Sequence, residues 1–462
     1  MLKVIKGGTV VTSSEIYQAD VLTEDEKIVQ IAKDIDTIDM DVIDARGAYL
    51  FPGGIDPHTH FNMPFDGITT IDDFESGTIS AAFGATTTVI DCAIQQKGVS
   101  LKDTIATWHK KAEGNALIDY SFHVAITDPN EKTLGEIKDV VETEGISSFK
   151  LCLAYKGSMM VGDDTLFKVM LKAKEVPALV SVHCENGDVI DFLQQYALRH
   201  DNKAPKWHAY SRPNILEGEA THRAITLSIL ASSPVYIVPV TAKEALEEIM
   251  RSQGHDQVVF AETCPQYLLL DQSLHEKPNF EGAKYIMSPP LRSKEDRNAL
   301  WTALKKGYIN TIGSGHCAFC MQSQKELGKG DFSKIPNGGP GVEDRFGLIY
   351  SHGVEERRIT LNRFVSIIST NSAKIFGLFP KKGTISVGSD ADIVVWDPTE
   401  AHTISKDNTH SRADYNMYEG FVVQGRPTHV ISRGHILIEG GKVKDVPEKG
   451  KFIKRAKFGM YL

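Results

Sequence analysis

Two histidines separated by one residue, His58 and His60, are the first feature of the sequence that can do chemistry. They follow the turn-forming run Pro52-Gly53-Gly54 and close a short apolar stretch that is predicted to be a strand. Because residues two apart in a strand point to the same side, both imidazoles can bind one metal ion. Two structural histidines with ordinary hydrogen-bond partners would give the same pattern, so the pair needs support from other residues.

A lysine and a third histidine close two later apolar stretches. Lys150 follows Ser147-Ser148-Phe149, and His183 follows Val180-Ser181-Val182. An inward-facing lysine is costly to bury unless it is paired or modified, and a nearby carboxylate would be the simplest partner. A histidine by itself can be an ordinary core residue. Together with the histidine pair, these side chains predict a metal site.

Eight short apolar runs alternate with helical stretches across the middle of the chain. This alternation predicts an α/β fold, the (β/α)8 or TIM barrel, whose active sites lie at the C-terminal ends of the strands. A doubly wound open sheet is the alternative, but no glycine-rich phosphate loop follows the first strand. Helices are predicted at Leu101–Ala112 and Ala242–Arg251. The predicted strands are the run ending at His58 and the segments Thr86–Cys92, Asp119–Ile126, Ser147–Leu153, Leu179–Cys184, Val235–Val240, Val258–Cys264 and Thr311–Cys317.

Both ends of the chain are rich in predicted strands, such as Val4–Val11 and Ala391–Pro398. We expect residues 1–52 and 380–445 to form one small β-sandwich domain, and residues 53–379 to form the barrel. Residues 446–462 are a basic, aromatic extension. This extension is either a solvated tail or a clasp that packs on a neighbouring subunit.

Composition and charge exclude several classes of partner. The chain has 462 residues, of which 41% are hydrophobic and 24% charged, and its net charge of -9 disfavours nucleic acid and anionic membranes. No apolar stretch is long enough to span a membrane, and the first residues turn polar too soon for a signal peptide, so we expect a cytoplasmic location. The six cysteines, with a single CxxC at Cys317 and Cys320, do not predict a disulfide framework or structural zinc.

Six blocks of the sequence resemble the dihydropyrimidinase and D-hydantoinase branch of the amidohydrolase superfamily. The similarity runs nearly end to end, and allantoinases and dihydroorotases match these blocks less well. The resemblance implies a metal-dependent hydrolase of the C–N bond of cyclic amides such as 5,6-dihydropyrimidines and hydantoins. The blocks are Pro52–His60, Ser148–Lys150, His183–Asp188, Glu262–Leu268, Ile335–Gly338 and Val387–Asp392.

The resemblance also implies a set of metal ligands. His58 and His60 would hold one ion of a two-metal site, usually zinc, and His183 would hold the other. Lys150, carboxylated by carbon dioxide on its amine, would bridge both ions as a carbamate. The metals would then supply a hydroxide and polarise the carbonyl of the ring amide.

Further residues would contact the substrate, a small-molecule cyclic amide. The hydroxyl of Tyr155 would donate a hydrogen bond to the developing oxyanion, and backbone groups of Ser288 and Asn337 would hold the cyclic imide. The loops at Met63–Asp66 and Cys152–Met160 would shape the pocket. The resemblance also implies a homotetramer.

Two residues of the family's site are missing from this sequence. Pro239 stands where the sixth barrel strand should end in a metal-binding histidine. Gly315 stands where the eighth should supply an aspartate that binds the first metal and transfers a proton. The second metal keeps only Lys150 and His183 as protein ligands, whereas the first keeps three. We therefore expect one bound metal or none.

A cysteine thiolate could replace a lost ligand, because thiolates bind zinc well. Cys152 lies two residues beyond Lys150 and should face the pocket, while Cys184 and Cys317 should point away. By the same alternation, His316 should face away and should not replace the missing aspartate.

Three functions remain open at this point. The first is a hydantoinase-type enzyme with weak or altered activity. The second is an inactive scaffold like the collapsin response mediator proteins, which share the block Ser314–Cys317 but lack the histidine pair and the lysine. The third is a mononuclear hydrolase of another cyclic amide or ester. The retained histidines and lysine, set against the two losses, favour an enzyme of the first kind that is impaired in the normal reaction.

Overall fold

The computed structural model describes residues 2–65, 67–254 and 258–462. Asp66, at the end of one predicted pocket loop, lies outside these residues. The strands are β1 Leu2–Val11, β2 Ile16–Glu24, β3 Lys27–Ala32, β4 Asp41–Asp44, β5 Tyr49–Pro52, β6 Gly54–Thr59, β7 Pro64–Phe65, β8 Ile68–Thr69, β9 Thr86–Ile94, β10 Asp119–Ala125, β11 Ser148–Cys152, β12 Leu179–His183, β13 Val235–Ile237, β14 Val259–Thr263, β15 Thr311–Ile312, β16 Ile393–Thr403, β17 Val422–Ser432, β18 His435–Glu439 and β19 Lys442–Val443.

Helices follow most of the strands between β6 and β16. Side-chain caps fix several of their starts: Ser100 accepts from the backbone N–H of Asp103, and Ser293 forms a reciprocal capping box with Asp296. The α-helices are α1 Phe74–Phe83, α2 Leu101–Ala112, α3 Glu131–Asp139, α4 Asp163–Glu175, α5 Gly187–Arg199, α6 Trp207–Tyr210, α7 Asn214–Ala231, α8 Lys243–Gln253, α9 Pro265–Leu269, α10 Lys294–Lys306, α11 Arg345–Ile349, α12 Leu361–Val365 and α13 Asn371–Ile375. Short 3-10 segments lie at Gln272–Glu276, Glu281–Tyr285, Lys325–Gly328, Phe332–Lys334 and Lys406–Asn408, and π turns at Val140–Glu144, Tyr350–Glu355 and Ser366–Thr370.

Eight parallel strands form the predicted barrel in the order β15-β14-β13-β12-β11-β10-β9-β6. Its edges meet because His60 N–H donates to the carbonyl of His316 at 2.9 Å and Gly315 N–H donates to that of His58 at 3.0 Å. The strands are almost wholly buried, as expected when helices cover a parallel sheet. The (β/α)8 prediction is confirmed, and all eight predicted strands are present.

The two chain ends meet in a second, β-rich domain, as predicted. Its sheet has nine strands in the order β19-β18-β17-β16-β5-β1-β2-β3, with β4 beside β1. One buried apolar cluster includes Val10 and Val21 from the first end and Ile393 and Ile431 from the second. In the part of the chain described, no helix has the length and apolar character to cross a membrane.

A buried ion cluster joins this domain to the barrel. The ammonium of Lys382 lies 2.7 Å from Asp119 at the start of β10, 3.1 Å from Asp390 and 2.7 Å from Asp392. Arg433 adds a second cation 3.1 Å from Asp119. Because three carboxylates lie beside two cations, most of the buried charges have a partner of opposite sign. A single buried ion would have no such partner.

The C-terminal extension packs on its own barrel. Its backbone bonds to the starts of successive barrel strands, with Ile453 N–H donating to Tyr120, Arg455 N–H to Gly145 and Phe458 N–H to Pro177. Ile453 and Arg455 are buried. The alternative of a merely solvated tail is therefore wrong for this stretch, while a clasp on another subunit stays a prediction.

Arg455 ties the extension to the strand that carries Lys150. Its guanidinium donates to the carbonyl of Phe122 at 2.5 Å and to the hydroxyl of Ser148 at 2.8 Å. Ser148 lies 2.6 Å from Nδ1 of His123, whose Nε2 lies 3.0 Å from the carbonyl of Pro57, the residue before His58. The extension thus supports the barrel floor beneath two candidate metal ligands.

Deleting residues 450–462 should lower the free energy of unfolding by more than about 3 kcal/mol, because hydrogen bonds to a charged group contribute about 1.5–3 kcal/mol each. Deleting only the mostly exposed residues 459–462 is the matched control and should change it by less than about 0.5 kcal/mol. Urea unfolding followed by circular dichroism measures both. Equal stability of the two truncated proteins would contradict this role of the extension.

Candidate metal centre

A pocket at the C-terminal ends of the barrel strands brings the predicted site residues together. Strand ends β6, β11 and β12 place His58, His60, Lys150 and His183 in its wall. The other predicted positions line the same pocket: Tyr155, Pro239, Ser288, Gly315 and Asn337. Segments as far apart in sequence as 58 and 337 thus converge on one cavity.

His58 is held in a fixed orientation by a buried carboxylate. Its Nδ1 lies 2.6 Å from Oε1 of Glu262 on β14, which leaves Nε2 facing Lys150 Nζ at 3.2 Å. The hydroxyl of Tyr236 donates to the other oxygen of Glu262 at 2.7 Å and lies 2.6 Å from the hydroxyl of Thr311. A carboxylate behind an imidazole is the usual support for a metal-binding histidine.

His183 has the same kind of support on the opposite nitrogen. Its Nε2 lies 2.8 Å from Oε2 of Glu185, and Arg212 donates to the same oxygen at 2.9 Å. Although burial alone would raise it, the charge of Arg212 and the contact with His183 hold the pKa of Glu185 well below its usual range. The carboxylate is therefore ionised and leaves Nδ1 of His183 as the ring nitrogen available for a metal.

The imidazoles of His58 and His60 are neutral, as metal ligands must be. Burial, followed by the charge of Lys150, lowers the pKa of both rings well below the ordinary value. Nδ1 of His60 is buried and, within the described residues, has no hydrogen-bond partner. A buried nitrogen without a partner costs free energy unless another group, such as a metal, satisfies it.

Lys150 is 8% exposed, and its ammonium contacts His58 Nε2. None of the described carboxylates forms an ion pair with Lys150. The nearby carboxylate that would be its simplest partner is therefore not found among these residues. The pocket therefore contains three imidazoles and a lysine that pairs with no described carboxylate. This composition is suited to a lysine whose amine is carboxylated, or to a site that is completed by a metal cation and its anionic ligands. These observations fit a metal at His58, His60 and Lys150.

The second metal position does not fit. Pro239 and Gly315 line the pocket but offer no side-chain ligand. Gly315 has φ of +62°, and a Cβ built there would lie 3.3 Å from Sγ of Cys264 and 3.2 Å from Nε2 of Gln266. Lys150 and His183 alone are fewer than the three protein ligands usual in catalytic zinc sites.

The cysteines differ partly from expectation. Cys152 lines the pocket, as predicted, and Cys184 does not. Cys317 lines it too, so the prediction that it points away is wrong. Strand alternation does not extend to Cys317, because β15 ends at Ile312 and only an isolated bridge between Thr59 and His316 follows it. The imidazole of His316, in contrast, turns to Asp72 at 3.1 Å, as expected for a residue outside the pocket.

Glu262 is the functional residue that the sequence did not single out. Donor atoms of His58, Glu262 and Cys264 lie within 4.8 Å of one another. Glu262 already supports His58, and burial raises the pKa of the Cys264 thiol well above its usual range, so the thiol stays protonated. This trio is therefore better explained as support for His58 than as a second ligand set. An acid at an inward position of a buried strand was the available signal.

The three predicted substrate contacts lie on loops around this centre. Tyr155 has φ of +67°, which is an uncommon backbone conformation for a bulky residue. Its ring centroid lies 5.0 Å from that of His183, and burial raises the pKa of its hydroxyl, which therefore remains a donor. Oδ1 of Asn337 is buried without a hydrogen-bond partner among the described residues.

The fold is a (β/α)8 barrel with a candidate metal site at the C-terminal ends of its strands, and comparisons with known proteins specify its class. The model of the amidohydrolase family matches residues 49–437. The chain is 53% identical to D-hydantoinase of Geobacillus stearothermophilus, covering 99% of this chain and 98% of that protein. It is 41% identical to dihydropyrimidinase of Rattus norvegicus over 99% of this chain and 89% of that one. The crystal structure of dihydropyrimidinase from Brevibacillus agri superposes with a TM-score of 0.98 at 51% identity, covering 99% and 100% of the two chains.

The chain belongs to the amidohydrolase family. This confirms the resemblance found from the sequence. The similarity runs nearly end to end in both relatives.

Replacing Glu262 with glutamine should weaken zinc binding about 10- to 100-fold, because an amide supports Nδ1 of His58 less well than the carboxyl group, whose pKa burial raises to about 7. Competition with a chromophoric chelator measures the affinity. Glu217→Gln is the matched control, since Glu217 is equally buried but pairs with Arg292 and Thr241 away from the pocket. Equal losses in both variants, or none in Glu262→Gln, would contradict the support role.

Proposed function

We propose that this chain hydrolyses the C–N bond of cyclic amides, 5,6-dihydropyrimidines and hydantoins, with one bound metal and with reduced efficiency. The observation that carries the proposal is the pocket itself: His58 and His183, each backed by a buried carboxylate, line it together with the buried Lys150, which pairs with none of the described carboxylates. Dihydropyrimidinases and D-hydantoinases are the relatives of this chain over nearly its whole length. Nothing in these comparisons favours an inactive scaffold like the collapsin response mediator proteins.

The proposed metal is zinc, held by His58, His60 and Lys150 after its amine has been carboxylated by carbon dioxide. A carbamate would replace the ammonium with anionic oxygen ligands, which removes the unfavourable cation from among the imidazoles. Zinc in such a site polarises a carbonyl and activates water near neutral pH. His183, oriented by Glu185, faces the same space from β12.

The remaining pocket residues bind and orient the ring. The protonated Tyr155 hydroxyl can donate to a carbonyl oxygen as negative charge develops on it. Ser288 and Asn337 are proposed to hold the imide through their backbone groups, with loops 63–65 and 152–160 around the substituent. With glycine at 315, no carboxylate moves the proton to the leaving nitrogen, and losing such a group costs about 10²–10⁴ in rate.

We also propose that the protein is cytoplasmic and forms a homotetramer. Helix α5 presents Val189, Phe192 and Tyr196 to solvent with 39%, 60% and 50% of their surface exposed. Large apolar groups clustered on one helix face support an interface.

The proposal includes the limits of the domains. Residues 1–52 and 380–445 form the small β domain, residues 53–379 form the barrel, and residues 446–462 form the C-terminal extension. Neither nucleic acid nor membrane is an expected partner, given the net charge of -9.

Hydrolysis of dihydrouracil and hydantoin by the purified chain tests the proposed function. We expect ring opening that depends on added zinc and falls to background in Lys150→Ala, with kcat about 10²-fold or more below that of a hydantoinase with the full site. Turnover equal to that of the complete enzymes would contradict the impairment. Absence of any metal-dependent turnover would contradict the function.

Restoring the two missing side chains should raise activity. The double variant Pro239→His, Gly315→Asp regains a histidine for the second metal and a carboxylate for the first, so kcat should rise about 10²-fold or more. Gly315→Asp alone should cost about 1 kcal/mol of stability, because φ of +62° suits glycine and the new Cβ is crowded. A double variant that binds two metals and remains inactive would show that the pocket differs elsewhere.

A further inference from the structure

A fully buried lysine lies behind the pocket wall, outside the set of residues discussed so far. Lys325 begins a 3-10 segment, Lys325–Gly328, and has no exposed surface. Among the described residues, no carboxylate pairs with it. Because an unpaired ammonium is costly to bury, a position that only needed to fill space would be better occupied by an apolar side chain.

The amine of Lys325 instead binds two backbone carbonyls on different loops. Its Nζ donates to Ile286 O at 3.1 Å and to Pro336 O at 3.0 Å. Burial lowers the pKa of Lys325 to about 7, but both the charged and the neutral amine carry enough N–H groups for two acceptors. A further bond, from Gly338 N–H to Ile286 O at 2.9 Å, joins the same two loops.

These loops carry the groups proposed to hold the substrate ring. The first continues from Ile286 through Met287 to Ser288, and the second continues from Pro336 to Asn337, and both line the pocket. The carbonyl of Pro336 and the N–H of Asn337 belong to one planar peptide unit. Fixing the carbonyl oxygen therefore fixes the direction in which the Asn337 N–H points. A donor on the carbonyl also polarises the unit and strengthens its N–H as a donor.

We propose that Lys325 is a positioning residue that sets the imide-binding edge of the pocket by holding the loops of Ser288 and Asn337 together. It touches neither metal nor substrate. It acts through the backbone of Asn337, and it discriminates rings that carry an imide from rings that carry a single amide. This inference rests on the proposed function, since it concerns the same pocket.

Binding to the full-length, zinc-loaded chain tests the inference without requiring turnover. Two probes are compared by equilibrium dialysis: hydantoin, whose ring contains an imide, and 2-pyrrolidinone, a ring with one amide. In Lys325→Met, the Kd of hydantoin should rise about tenfold while that of 2-pyrrolidinone changes less than about twofold. For hydantoin hydrolysis, KM should rise more than kcat falls.

Two further variants separate positioning from general stability. Arg363→Met is the matched control, because Arg363 also donates to two backbone carbonyls, those of Leu304 and Ile309, but lies away from the pocket. It should leave both Kd values unchanged. Lys325→Arg keeps N–H donors at this position and should bind hydantoin more tightly than Lys325→Met does, which provides the comparison if Lys325→Met does not fold.

The outcomes distinguish this inference from the proposed function. Unchanged hydantoin binding in Lys325→Met, or an equal loss for both probes, would overturn the positioning role while leaving the function intact. A folded Lys325→Arg with the tenfold loss expected of the methionine variant would also overturn it. A wild-type protein that binds no hydantoin would overturn the proposed function, and this inference with it.

Discussion

Burial of Lys150 among imidazoles is the constraint on which the rest of the site depends. Lys150 is only 8% exposed, lies beside His58 and pairs with no carboxylate of the described chain, so its amine needs another group to balance it. Carboxylation and a metal ion would satisfy that need together, because the carbamate supplies anionic oxygen and the metal stabilises the carbamate. The neutral state of His58 and His60 follows from the same burial and is the state that a metal requires.

The barrel makes this arrangement possible by placing supports behind His58 and His183 and beneath the strands that carry the ligands. Glu262 holds His58 from one side, the Arg455–Ser148–His123 chain holds the strand floor from below, and Glu185 holds His183. Glu262 comes from β14, Ser148 and His123 come from β11 and β10, Arg455 comes from the C-terminal extension, and Glu185 comes from the loop after β12. The positions of the candidate ligands therefore depend on several parts of the fold. The missing side chains at positions 239 and 315 leave these supports, and the ligands that they hold, in place.

Much of this could be predicted from the sequence, and the failures have physical causes. Apolar runs between turn residues predicted all eight barrel strands, because parallel strands are buried on both faces. Two ended early: β13 stops at Ile237, shortly before Pro239, which has no N–H for the ladder, and β15 stops at Ile312. The direction of Cys317 was wrong because alternation holds only within a strand. Glu262 could not be paired with His58, since 204 residues separate them in sequence.

The central claim is that the retained residues hold one metal ion. Zinc content of the purified, dialysed chain, measured by inductively coupled plasma mass spectrometry against protein concentration, tests it most directly. One zinc per chain, lost in Lys150→Ala, is the predicted result. Two tightly bound ions per chain, or the same content in wild type and Lys150→Ala, would contradict it.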